Sequence, residues 1–123
     1  LAAVENRFTI PGELPNLNDV INKSKIHWAA YSKIKKDATM LVRYAANKLP
    51  VYKNKIFLDI TYYARNKRKD MDNIAFAKKF ILDGLVEAKK IKNDGWGEIA
   101  GWKEQFEVDK QNPRIEVYIK EEI

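Results

Sequence analysis

The chain has 123 residues, a length that points to one domain covering residues 1–123. Hydrophobic residues make up 46% and charged residues 33%, a balance that excludes a disordered tail, a collagen-like fibre and a bare coiled coil. Lys and Arg number 23 against 17 Asp and Glu, and this excess of +6 on a small domain favours a polyanionic partner.

In chain order, Arg7 to Ile10 alternates apolar and polar residues before Pro11-Gly12, which predicts a first strand. Gly12 to Ser24 carries Pro15, Asn16, Asn18, Asp19 and Asn22 and reads as a loop. From about Ile26 to Lys48 the period becomes helical. Ala30, Ile34, Ala38, Leu41, Ala45 and Leu49 form one apolar stripe, with Ser24 as N-cap and Pro50 as stop. Lys55 to Tyr63 is the clearest strand, with Ile56, Leu58, Ile60 and Tyr62 on one face. A basic connection, Ala64 to Lys69, follows. A second helix is expected from Asn73 to Lys89, burying Ile74, Ala77, Ile81, Leu85 and Ala88, and Asn93-Asp94-Gly95 then makes a turn. Two more strands follow: one alternates Trp102, Glu104, Phe106 and Val108 with Lys103 to Asp109, the other runs from Arg114 to Lys120. Asn112-Pro113 suits a hairpin-like connection between them. The expected fold class is α+β, a small mixed sheet of about four strands packed with two main helices.

The absence of cysteine removes disulfides, zinc–thiolate sites and cysteine nucleophiles together. The single histidine, His27, excludes a histidine metal cluster and disfavours a Ser-His-Asp triad; it reads as a packing or surface residue. Nothing approaches the roughly 18 apolar residues of a membrane span. Leu1-Ala2-Ala3-Val4-Glu5 lacks the charged start and apolar run of a signal peptide, so a cytoplasmic location is expected. Catalysis, if any, must run on carboxylates and lysines.

The informative segment is Arg65-Asn66-Lys67-Arg68-Lys69-Asp70-Met71-Asp72-Asn73. Two carboxylates two apart in extended chain point to one side. Hard oxygen ligands converging in this way suit Mg²⁺, which takes one or two carboxylates plus substrate phosphates. The flanking cations would hold a phosphodiester beside it. The structural alternative is that Asp72 or Asn73 caps the second helix while Asp70 favours its positive end. Along that helix, Asp72, Phe76, Lys79 and Asp83 fall in one stripe opposite the buried face, so Lys79 can reach a phosphate held at the pair. Its structural role would be an i,i+4 pair with Asp83. Asp94 offers a third carboxylate, although Asn-Asp-Gly is equally a turn signal. Trp96 and Trp102 read as core or interface residues, and of Tyr62 and Tyr63 beside the basic connection alternation places one in the core.

Asp70-Met71-Asp72-Asn73, a helical Lys79, the step Asp83-Gly84-Leu85 and the later Ile91-Lys92-Asn93-Asp94, in this order, resemble the RusA family of Holliday-junction resolvases. The resemblance runs over nearly the whole chain, and Lys69 to Asp94 looks like Gram-positive bacterial and phage members. It implies a Mg²⁺-dependent endonuclease, with Mn²⁺ as a substitute, that cuts four-way DNA junctions in recombination and repair, in a bacterial or phage-infected cell. By position, Asp70, Asp72 and Asp94 match the family's catalytic, metal-binding aspartates and Lys79 its functional lysine. Arg65, Lys67, Arg68, Lys69 and Asn73 would contact DNA. The best-known branch places the lysine one turn after its DxDN, where this chain has Phe76, so Lys78 is the second candidate. The N-terminal loop lacks the family's compact Pro-Pro-Ser form.

Size adds a further expectation. A chain of this length has a radius of gyration of roughly 14 Å, too small to span both strands of a junction. A C2 homodimer would place one site on each. Two other readings compete: a non-catalytic module that binds branched or duplex DNA through its phosphates, and a protein-interaction domain whose charge serves solubility.

Overall fold

The structure, a computed structural model, describes residues 5–26 and 28–123. His27 and the first four residues lie outside the described residues. Four strands, β1 (Glu5–Pro11), β2 (Ile56–Ala64), β3 (Ile99–Val108) and β4 (Arg114–Glu121), form one mixed sheet in the order β1-β4-β2-β3. β4 runs antiparallel to β1 and β2, while β3 lies parallel to β2. The expected α+β class, with a mixed four-stranded sheet, is the architecture observed.

One sheet face makes the core. Ile56, Leu58, Ile60 and Tyr62 of β2 are buried as their alternation predicts. Register places them beside Ile115, Val117 and Ile119 of β4, which in turn meet Phe8 and Ile10 of β1. Helices α1 (Leu17–Ile26), α2 (Trp28–Ala45), α3 (Met71–Ala75) and α4 (Lys78–Glu87) and the residues joining them supply Val20, Ala38, Val42, Ala77, Phe80, Ile81 and Leu85 to the same cluster.

The loop expected from Gly12 to Ser24 is mostly helix. Asn16 Oδ1 accepts from the Asp19 N–H (3.0 Å), and Asp19 Oδ2 accepts from the Asn16 N–H (3.3 Å). This reciprocal box starts α1. The side-chain oxygens that favour turns also favour N-caps, and here the cap prevails. Ser24, expected as the N-cap of the long helix, lies within α1. α2 ends at Ala45 rather than Lys48, and its buried line runs Ala38, Val42, Ala46, Leu49. Leu41, expected in the stripe, is 38% exposed.

The second helix begins earlier than expected and divides in two. Ala77 N–H bonds the Ile74 carbonyl and Lys79 N–H that of Phe76, both three residues back (3.1 Å each). Backbone at Phe76 and Ala77 stays right-handed, so the axis tightens for one turn without stopping. This shifts the phase: Phe76 packs against the core and meets Phe80 edge-on at 5.8 Å, leaving the expected solvent-facing stripe. α4 crosses α2 at Gly84, where a Cβ would fall 2.4 Å from Val42 Cγ1, so only glycine permits this approach.

β3 and β4 are not a hairpin. Each pairs with β2 on opposite sides, and the turn between them arches over the end of β2, where the Asp109 N–H bonds the Ala64 carbonyl (2.9 Å). A parallel β2–β3 pair requires a crossover, which α3 and α4 supply. α4 consequently returns the chain from the Ala64 end of β2 to its Ile56 end. Trp102, on the β3 edge, is 46% exposed, and Trp96 on the preceding turn is 94% exposed; neither is core.

Candidate functional site at the end of the second strand

The chain leaves β2 at Ala64 in exposed, irregular backbone through Lys69. Asn66 Oδ1 accepts from the Arg68 N–H (2.9 Å), a local turn that shapes the connection. Lys67, Arg68 and Lys69 form no ion pair among the described residues. Arg65 is tied back: its N–H donates to Glu13 Oε2 (3.4 Å) and its guanidinium lies 3.7 Å from Glu13 Oε1, pinning the N-terminal loop to the strand end. Arched over the same end, the β3–β4 turn brings Lys110 into this basic region. The sequence gives no sign of Lys110 here, because a hairpin would place that turn elsewhere.

Asp70 occupies the N-cap position of α3 in extended backbone, and its carbonyl accepts from the Ile74 N–H (3.1 Å). Its carboxylate makes no capping hydrogen bond. Asp72 lies in the first helical turn, where one oxygen accepts from the Asn73 N–H (3.0 Å) and the other has no partner among the described residues. Asp70 thus stands at the positive end of the helix, as the structural alternative has it, but its carboxylate makes no capping bond, and Asp72 commits one oxygen. Strand alternation does not relate the two, because Asp70 is extended and Asp72 helical; they share a site because both open the same helix. Asn73 is half-buried beside them. A groove of about 580 Å³ runs along this end, lined by Asn66, Lys67, Lys69, Asp70, Ile74 and Phe106 among others.

The two lysines of α4 differ. Lys78 Nζ lies 3.0 Å from Glu104 Oε1 and 4.3 Å from the Trp102 ring centroid, largely buried. Glu104 Oε2 accepts from the Tyr62 hydroxyl (2.8 Å), and Tyr62 stacks on Phe106 with centroids 5.1 Å apart. Burial, then the Glu104 carboxylate, raises the Tyr62 phenol far above its ordinary range, so it stays a donor. Lys78 is therefore committed to packing. Lys79 is half-exposed and only 3.8 Å from Asp83, the weak i,i+4 pair foreseen as its structural role.

Asp94 does not join the pair. The Tyr52 N–H bonds the Lys90 carbonyl (2.8 Å) and the Ile56 N–H that of Glu98 (2.9 Å), fixing residues 90–98 at the opposite end of β2. Nine strand residues separate the ends by roughly 26 Å. Asp94 instead borders a groove between α2 and α4 with Lys35, Lys36, Asp83 and Glu87. Among the described residues no three His, Cys, Asp or Glu side chains converge as a metal cage. Asp70 and Asp72 are exposed hard-oxygen donors with at least three free oxygens between them, a pair that fits a Mg²⁺ ion retaining waters and taking phosphate ligands.

Tyr63, the second tyrosine, lies on the other sheet face under the Arg114 guanidinium at 3.9 Å, so its ring is already covered. Arg114 also holds Asp109 (2.8 Å) and Glu116 (2.7 Å), which keeps the Asp109 carboxyl below its usual range. No family model matches the chain, and no curated protein matches it. No helix among the described residues is long and apolar enough to cross a membrane.

Proposed function

We propose that this chain is a metal-dependent endodeoxyribonuclease of the RusA kind, cutting four-way DNA junctions by paired nicks. One observation carries the reading: two exposed carboxylates, one wholly uncommitted, open a helix directly after a run of unpaired cations. Acids at a helix start also ease the helix dipole, but these keep free oxygens directly after a run of unpaired cations, which serve a substrate that is itself anionic. The resemblance of Asp70 to Asp94 to the resolvase pattern supports the same chemistry.

In this reading Lys67, Arg68, Lys69 and Lys110 bind and orient the phosphodiester, while Asp70 and Asp72 hold Mg²⁺. The bound ion would supply Lewis-acid polarisation of the phosphate and acidify water near neutral pH. Water attacks phosphorus in line; the new P–O bond forms as the P–O3′ bond breaks, and the proton lost by water is balanced by one gained at O3′. A 5′-phosphate and a 3′-hydroxyl remain. Lys79, held only loosely by Asp83, adds positive charge toward the phosphate as negative charge grows. A third carboxylate from Asp94 would come from a second copy, because its own chain fixes that turn at the opposite end of β2. A two-fold pair that sets the Ile56 end of one copy against the Ala64 end of the other provides that and gives one site per strand of the junction.

The test is cleavage of a synthetic four-way junction beside a matched linear duplex, with Mg²⁺ or chelator. Paired symmetric nicks on the junction alone are expected. Asp72→Asn should lower the rate by roughly 10²–10³-fold, the loss for one charge-stabilising group. Junction binding without nicks under any metal would leave a DNA-recognition module.

A further inference from the structure

The end of the molecule remote from Asp70 carries its own unabsorbed features. A groove of about 670 Å³ lies between the Val51–Asn54 segment and the turn after α4, with Lys53, Lys89 and Lys92 on its walls. None of the three forms an ion pair among the described residues. The one acid lining it, Glu98, accepts from the Gly95 N–H (3.2 Å) and is turned to the backbone. Gly97 belongs to the groove wall, and Trp96, which precedes it in the chain, has 94% of its surface exposed.

Trp96 is not on a loose loop. The Gly95 carbonyl accepts from both the Glu98 N–H (3.2 Å) and the Ile99 N–H (3.0 Å), and the Asn93 side chain accepts from the Asp94 N–H (2.9 Å). A bare indole, the largest apolar side chain, is therefore held on a tight, hydrogen-bonded turn whose next residue, Gly97, walls a groove lined by three lysines. That pairing has a specific complement. A cationic groove tracks phosphates, and an aromatic at its edge takes the face of an unstacked base. An acidic protein surface would satisfy the lysines but leave the indole in water.

We infer that Trp96 with Lys53, Lys89 and Lys92 forms a second nucleic-acid contact, which takes an unstacked base and its flanking phosphates. The inference rests on the reading of the chain as a DNA-acting protein, and it adds a preference for strands whose bases are unpaired, as at a branch point. A linear duplex presents no free base face, so the indole should contribute little there.

The test is equilibrium binding to labelled dT20, a four-way junction and a matched duplex, in chelator so that nothing is cut. Trp96→Ala should weaken dT20 binding by roughly 5- to 150-fold, the worth of one base stack, and duplex binding far less. Trp96→Phe should retain most of the affinity. Changing Lys53, Lys89 and Lys92 together to Gln should lower the salt slope on dT20 by about 2. Equal dT20 affinity for wild type and Trp96→Ala would overturn the inference. So would a change of oligomeric state in Trp96→Ala with DNA affinity intact, which would assign the indole to a protein contact. Wild type binding no DNA at all would overturn this inference and the nuclease reading together. Weakened dT20 binding in Trp96→Ala, with no nicking by wild type, would keep the inference and remove only the nuclease.

Discussion

The two ends of β2 carry similar charge but differ in how that charge is held. At the Ala64 end, Lys67, Arg68 and Lys69 stand free around the carboxylates of Asp70 and Asp72, on irregular backbone that no packing requires. At the Ile56 end, Asp94 and Trp96 sit on a turn fixed by backbone hydrogen bonds to β2 and to the end of α4. Under the proposed reading, the first end supplies the metal donors and the cations that bind phosphate. The second has Asp94, a bare indole and a lysine groove whose acid, Glu98, is turned to the backbone. Under that reading neither end is complete alone, and α4, which crosses α2 closely at Gly84, keeps them apart. A two-fold pair is the simplest arrangement in which both contribute to one centre.

The comparison breaks most visibly through the cations of the first end. Changing Lys67, Arg68 and Lys69 together to Ala should weaken junction and duplex binding alike and reduce the salt slope by about 2.7, or 0.9 for each phosphate no longer neutralised. A selective loss on unpaired bases would place the stacking contact at the wrong end. Anisotropy titrations over a range of salt measure both quantities.

The neighbouring lysines of α4 sharpen it next. Lys78→Met removes a charge-assisted hydrogen bond from Glu104 in a largely buried network and should cost about 1–2 kcal/mol in urea unfolding. Lys79→Met should change stability by less than about 0.5 kcal/mol, since its pair with Asp83 is long and exposed. Under the proposed reading the order reverses for junction cleavage, with Lys79→Met the more damaging. Stability and nicking rate measured on both variants decide it.

The smallest effect belongs to the second end. Tyr52 is buried, its hydroxyl donates to Asn6 (3.1 Å), and desolvation with the Glu121 charge pushes its phenol up to about 12. A folded-state value above the ordinary 10 means that the unfolded chain releases its proton first. Stability from this group is intact below about pH 10 and falls as pH rises toward about 12. Tyr52→Phe should flatten that part of the alkaline unfolding curve. An unchanged slope would show the phenol to be no better protected than a free tyrosine.

Much of this is legible in the residues. β2 is plain because its buried side chains alternate without a break from Ile56 to Tyr62, and the basic connection because a dense run of cations and then two acids follow a strand. α1 is hidden because Asn16 and Asp19 carry the same signal for a cap as for a turn. The place of Asp94 is hidden by topology: a hairpin from β3 to β4 says nothing of a crossover, whereas a parallel β3 obliges the end of α4 to lie at the start of β2. Lys110 is hidden for the same reason. The exposure of Trp96 escapes sequence reading because tryptophan is usually covered, and no local pattern marks those that are not.

Subunit mixing tests the account most directly. Asp72→Asn and Asp94→Asn are each purified, shown to be dimeric and inactive, then exchanged and assayed on a four-way junction. A site shared between copies predicts recovery on mixing, with one strand nicked, because one of the two centres in the mixed dimer is intact. No recovery from verified mixed dimers would contradict it, as would an Asp94→Asn protein that cuts like wild type.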